Sequence, residues 1–173
     1  SFGLNADTTP GSDATTGDAT SAVGSVSMNG VTLSVGSVGE ADTQGGNGIS
    51  DVGYDDLGAD DLAEALDGKT AHNVNLTYAV GDITLAYSQL FGAGTATATP
   101  NDSYAIGAKY KTGALTVGAG YLSVGMGNTS ANVGDGTVTS GYVTYVAGPA
   151  TINAMTSTYD SEVAGTANAT ASG

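Results

Sequence analysis

The stretch "SDVGYDDLGADDLAEALDG", residues 50–68, gathers the chain's densest set of reactive side chains: Asp51, Asp55, Asp56, Asp60, Asp61, Glu64 and Asp67. Carboxylate oxygens at this density suit calcium, but their spacing is not that of an EF-hand loop. "GGNGISD", residues 45–51, approaches the calcium-binding repeat GGxGxD, yet it places Asp51 one residue late and occurs once. No metal site is therefore expected; weakly bound calcium bridging to anionic lipid is the one ion these oxygens leave open. Asp60 or Asp61 can cap a short helix running through Leu66, with Leu62, Ala65 and Leu66 as its apolar contact. On its own the run reads as a solvated acidic loop. Set against low-dielectric walls, it would focus a negative potential and gather cations.

Catalytic chemistry has almost no material to work with. His72 is the only histidine and stands at the start of an alternating segment, where a loop-edge role is expected rather than general-base work. No GxSxG elbow, HExxH pair or phosphate loop occurs. The chain is expected to be no enzyme and to need no cofactor. Three lysines (Lys69, Lys109 and Lys111), no arginine and a net charge of −14 leave nothing to neutralise phosphates, so nucleic acid is excluded as a partner. There is no cysteine for a disulfide or thiolate site.

The elements that must carry these residues are strands. "AHNVNLTYAVGDITLAYSQL", residues 71–90, alternates about Gly81–Asp82, which pairs Val80 with Ile83, Tyr78 with Leu85, Leu76 with Tyr87 and Val74 with Gln89. Every large apolar residue then falls on one face, and asparagine, threonine and serine on the other. A one-residue slip would mix the two sets. "AVGSVSMNGVTLSVGSV", residues 22–38, turns at Asn29–Gly30. "SYAIGAKYKTGALTVGAGYLSV", residues 103–124, is expected to turn at Thr112–Gly113, with Tyr110 facing Leu115 and Tyr104 facing Tyr121. "TVTSGYVTYVAGPATINAMTSTY", residues 137–159, turns at Gly148–Pro149.

Longer polar segments separate the hairpins: 7–21, 39–70, 92–102, 125–136 and 160–173. Short turns at one end, long loops at the other and strands of about 8–11 residues form the pattern of an antiparallel transmembrane β-barrel, lipid on one face and a water-filled lumen on the other. Composition agrees, because with 28 glycines and few Leu, Ile or Phe there is little to fill an ordinary core. No apolar run is long enough for a transmembrane helix. The tyrosines Tyr78, Tyr87, Tyr104, Tyr110, Tyr121, Tyr142 and Tyr145 could form interfacial girdles or simply pack across strands. Lys109 and Lys111 fall on the polar face beside a short turn, at a lumen mouth. A soluble sandwich or solenoid shares the alternation, so an acidic extracellular β-rich structural or adhesive surface protein stands as the alternative.

"VSMNGVTLSVGSVGEADTQ" leading into "DVGYDDLGADDLAEAL", followed by "NVNLTYAVGDITLAYS" and "SYAIGAKYKTGALTVGAGY", resembles the general porins of Gram-negative outer membranes, most nearly their alphaproteobacterial, Rhodobacter-type branch. The resemblance covers roughly residues 1–159 and rests on repeated short patterns. It implies a homotrimer of 16-stranded barrels in the outer membrane, in contact with lipid and lipopolysaccharide. Each barrel would pass small hydrophilic solutes and ions by passive diffusion. A long third loop folds into such barrels; here 39–70 matches it, which makes Asp51, Asp55, Asp56, Asp60, Asp61, Glu64 and Asp67 pore-constriction residues with cation preference. About nine strands are legible within a single domain spanning 1–173. The chain is thus expected to be an internal portion of such a barrel. The basic cluster that faces the acidic loop in that family has no counterpart here and would lie outside this stretch.

Overall fold

The computed structural model describes residues 2–6, 22–38, 40–42, 59, 72–90, 100–126, 136–162 and 167–173. Among them are ten strands: β1 (Phe2–Ala6), β2 (Ala22–Met28), β3 (Val31–Val38), β4 (His72–Val80), β5 (Ile83–Gln89), β6 (Pro100–Thr112), β7 (Leu115–Met126), β8 (Gly136–Ala147), β9 (Ala150–Ser161) and β10 (Ala169–Ser172). They form one sheet in chain order, each strand antiparallel to the next, with β1 and β10 at its two edges. All nine expected strands are present. The tenth occupies part of 160–173, expected to be loop, and pairs Ala169 with Tyr159 and Ser172 with Thr156. β6 likewise starts at Pro100, inside the segment expected to be loop.

Turn chemistry sets the registers. At Asn29–Gly30 both central residues have positive φ (51° and 81°), the left-handed pair that matches strand twist. Gly30 is required for a second reason, since a Cβ there would run into the Ala79 carbonyl oxygen of the neighbouring hairpin. The Gly81–Asp82 hairpin has the expected partners throughout, from Val80↔Ile83 to Val74↔Gln89. The third hairpin differs: its turn is Gly113–Ala114, with Thr112↔Leu115, Tyr110↔Val117 and Tyr104↔Ser123. Glycine takes the first turn position at φ 53°, a conformation that β-branched Thr112 would adopt only with strain. The shift from expectation is two residues, so every side chain keeps its face.

The registers between hairpins carry a second regularity. Val31 ends β3's turn but pairs with Tyr78, two residues short of the next turn at Val80. Ile83 pairs with Tyr110, two short of Thr112, and Leu115 with Tyr145, two short of Ala147. Each hairpin thus steps forward by two residues relative to the one before. Two residues are about 6.7 Å of strand and two strand spacings about 9.6 Å, so with the turns level the strands tilt by about 35°.

Candidate functional site

The two faces of the sheet are chemically distinct. One carries Val26, Leu33, Leu76, Tyr87, Ile106 and Tyr121 in one continuous cross-strand row, and Val80, Ile83, Tyr110, Val117 and Val143 in another. These are exposed or half-exposed: Leu76 is 41% and Val80 49% accessible, and Met28 and Ile152 on the same face reach 72% and 60%. Tyr78, Tyr87, Tyr104, Tyr110 and Tyr121 all lie on this face by register. Tyr104 and Tyr121 pack ring to ring at 5.9 Å, and the Tyr87 hydroxyl donates to Gln89 Oε1 at 2.5 Å. Tyr145 shares the face, but Tyr142 belongs to the other, paired with Gly118 and Met155.

Small and polar residues make up much of the opposite face, with its largest apolar side chains on β7–β9. One row reads Ser25, Ser34, Asn75, Ser88, Ala105, Leu122, Val138, Tyr159; the next reads Ser27, Thr32, Thr77, Ala86, Gly107, Gly120, Ser140, Ser157, Ala171. Hydroxyls bridge neighbouring strands, Ser25 to Ser34 at 2.9 Å, Ser27 to Thr32 at 2.8 Å and Thr144 to Asn153 at 2.9 Å. Lys109, opposite Thr84 and Gly118, and Lys111, opposite Thr116, stand on this face toward the short turns.

Toward the long connections, the polar face is covered. Ala41, just beyond β3, packs with Ala86, Ala105, Leu122, Val124 and Val138, and Tyr159 lies against the cluster. Ala59 is wholly buried against Met155, beside Tyr142 and Ala171. Asp51, Asp55, Asp56, Asp60, Asp61, Glu64 and Asp67 lie outside the described residues, as does most of 39–70.

His72 stands at a strand entrance, as the first residue of β4, and is fully buried there, with Nδ1 2.6 Å from Ser88 Oγ and Nε2 2.8 Å from Ser103 Oγ. Ser88 Oγ also accepts the Ala41 amide N–H at 2.7 Å. His72 is thus held at both ring nitrogens by hydroxyls, each of which can donate or accept. Sequence reasoning missed this group, because its members are spread over three strands and share no local motif.

No family model matches the chain, and no curated protein does. Among solved structures, it is similar to substituted variants of the porin of Rh. blastica. Two of these are each 21% identical to it, over 98% of this chain and 75% of the porin chain, with TM-scores of 0.43 and 0.42. A third, also at 21% identity and the same coverage, has a TM-score of 0.42.

Proposed function

We propose that this sheet is a section of the wall of a membrane-spanning β-barrel, and that the protein is an outer-membrane porin. The observation that carries the reading is the combination of the two-residue stagger with one exposed apolar face. A tilt of about 35° falls at the lower edge of the 35–45° typical of closed transmembrane barrels. In water, the exposed Val26–Tyr121 and Val80–Val143 rows would form an apolar surface far beyond what a soluble monomer carries. Facing lipid, they need no cover. The polar face then lines a channel for small hydrophilic solutes and ions, with Lys109 and Lys111 near its short-turn mouth. An acidic adhesive protein would leave the apolar rows unexplained.

Ala41 and Ala59 both sit against the polar face, which supports an inward course for the 39–70 segment to which they belong. On this reading the carboxylates Asp51, Asp55, Asp56, Asp60, Asp61, Glu64 and Asp67 narrow the lumen and favour cations. Tyr78, Tyr87, Tyr104, Tyr110 and Tyr121 meet lipid and lipopolysaccharide, their hydroxyls toward the headgroups where depth allows. Barrels of this kind would associate as homotrimers. The protein, reconstituted into planar bilayers, should give stepwise, ohmic ion conductance and should migrate differently on gels before and after heating. A native protein that stays soluble without detergent and conducts no ions would overturn the assignment.

A further inference from the structure

The chain carries 17 acidic residues and three lysines, yet the polar face of its strands has the opposite sign. Apart from Lys109 and Lys111, no lysine, aspartate or glutamate is paired in the polar rows from β1 to β10. Asp102 and Asp160 pair with Gly125 and Thr137, in rows of the apolar face. The two lysines stand two residues apart on β6, so both leave from one face with their Cα atoms about 7 Å apart. Across from Lys109 are Thr84 and Gly118; across from Lys111 is Thr116, with Thr144 next in that row. Glycine and threonine offer neither lysine a counter-charge, and Lys109 is half-buried while Lys111 is exposed. Asp82 occupies the adjacent turn, where its backbone carbonyl accepts the Lys111 N–H at 2.9 Å. Lys111 and Lys109 lie one and three residues from Thr112, the last residue of β6. For strands tilted by about 35° that is about 3 and 8 Å above the short turns.

Two ammonium groups held this close repel each other and gain nothing from such a wall, unless an anion visits them. We propose that Lys109 and Lys111 form an anion-binding step on the polar face, for small oxyanions such as phosphate, and that this step draws anions into the short-turn mouth of the channel. The second half rests on the channel reading; the first does not. Each ammonium brings three donors, and the Thr84 and Thr116 hydroxyls beside them can donate as well. A divalent oxyanion answers both charges at once, whereas chloride answers one. For an anion passing about 7 Å away, two unit charges screened over about 10 Å raise its local concentration roughly threefold at 0.1 M salt. At 1 M the gain falls to about 1.2-fold.

The two halves separate experimentally. Reductive methylation with an isotope label marks the lysines and keeps their charge, so each gives its own resonance. In the full chain folded in detergent, inorganic phosphate added at constant ionic strength should shift the Lys109 and Lys111 resonances along one shared saturation curve. Lys69, two residues from Asp67 in an acidic run, should stay in place. Lys109→Gln should flatten the Lys111 curve, whereas Lys109→Arg, which keeps the charge, should leave Lys111 responding. Equal shifts at all three lysines, or a Lys111 curve untouched by Lys109→Gln, would overturn the step, and the first of these needs no variant to fold. In planar bilayers at 0.1 M salt, Lys109→Gln combined with Lys111→Gln should lower the permeability to chloride relative to potassium about threefold, with little change at 1 M. An unchanged ratio beside an intact phosphate curve would overturn the role at the mouth. A parent protein that conducts no ions would instead overturn the channel reading, with the phosphate curves still deciding the step.

Discussion

Arginine placed at different depths on one face separates lipid from water as the medium. Leu76 and Val80 both belong to β4, both point to the apolar face, and both are accessible, at 41% and 49%. In a water-soluble sheet, arginine at either exposed site should cost little, within about 0.5 kcal/mol. In a barrel the sites differ by depth. Val80 ends its strand at the Gly81–Asp82 turn, whereas Leu76 lies four residues further up. Four residues are about 13 Å of strand, and a 35° tilt turns that into about 11 Å along the membrane normal. An apolar band about 25 Å tall, with its lower boundary near the turns, has its midplane close to that height. Leu76→Arg should therefore cost about 2–4 kcal/mol, and Val80→Arg only about 0–1 kcal/mol. Ala79→Arg, exposed on the opposite face of the same strand, should be close to neutral. Denaturant unfolding of protein folded into lipid vesicles measures all three. The difference between Leu76 and Val80 should amount to about 2–3 kcal/mol, a shift of more than tenfold in the folding equilibrium. Equal, small costs at Leu76 and Val80 would refute a lipid-facing wall, whatever the channel assay gave.

Two further outcomes follow from charge and backbone geometry. Replacing Asp55, Asp56, Asp60 and Asp61 together with asparagine should move the reversal potential under a salt gradient away from cation preference; the difference should shrink at 1 M salt, where the screening length is about 3 Å. Gly113→Ala should destabilise the folded protein by about 1–2 kcal/mol, because alanine must adopt φ near 53°, with Gly113→Asn costing less. Gly141→Ala is the contrast: φ there is not left-handed and the new methyl would meet the Gly118 carbonyl oxygen at an ordinary 3.6 Å, so unfolding midpoints should barely change.

How far the sequence could be read follows from which interactions are local. Period-two alternation assigns faces residue by residue, and Asn29–Gly30 and Gly81–Asp82 fix their hairpins because each allows one low-strain turn. "KTGAL" allows two, since its glycine could stand at either central position. The choice depends on keeping Thr112 out of the left-handed region, and the error of two residues leaves both faces intact. The short strand Ala169–Ser172 has no large apolar residue to alternate, so only pairing with β9 defines it. The stagger between hairpins is likewise invisible locally, because nothing in "VTLSV" says that Val31 meets Tyr78. For His72 the difficulty is greater. Ser88 lies 16 residues from it and Ser103 lies 31, and only the β4–β5–β6 pairing brings them together.

The scarcity of large side chains follows from the same geometry. A water-soluble sheet of this size must bury one face against a second layer filled with Leu, Ile and Phe. Here most of the large groups point to the exposed face, where lipid would replace the second layer, and the large members of the clusters on the other face (Leu122, Val124, Val138, Tyr142, Met155 and Tyr159) are confined to β7–β9. The other face is cut back to glycine, alanine and serine along the row Ala86, Gly107, Gly120, Ser140, Ser157 and Ala171. That shaving lets backbone come close: Ala41 and Ala59 reach full burial against the wall with only a methyl group each. Bulky residues along the row would hold any inward segment away from the wall and into the path of solutes. A wall of small residues is therefore what an inward loop and an open lumen would require together, and nine of the chain's 28 glycines stand within the strands of this sheet.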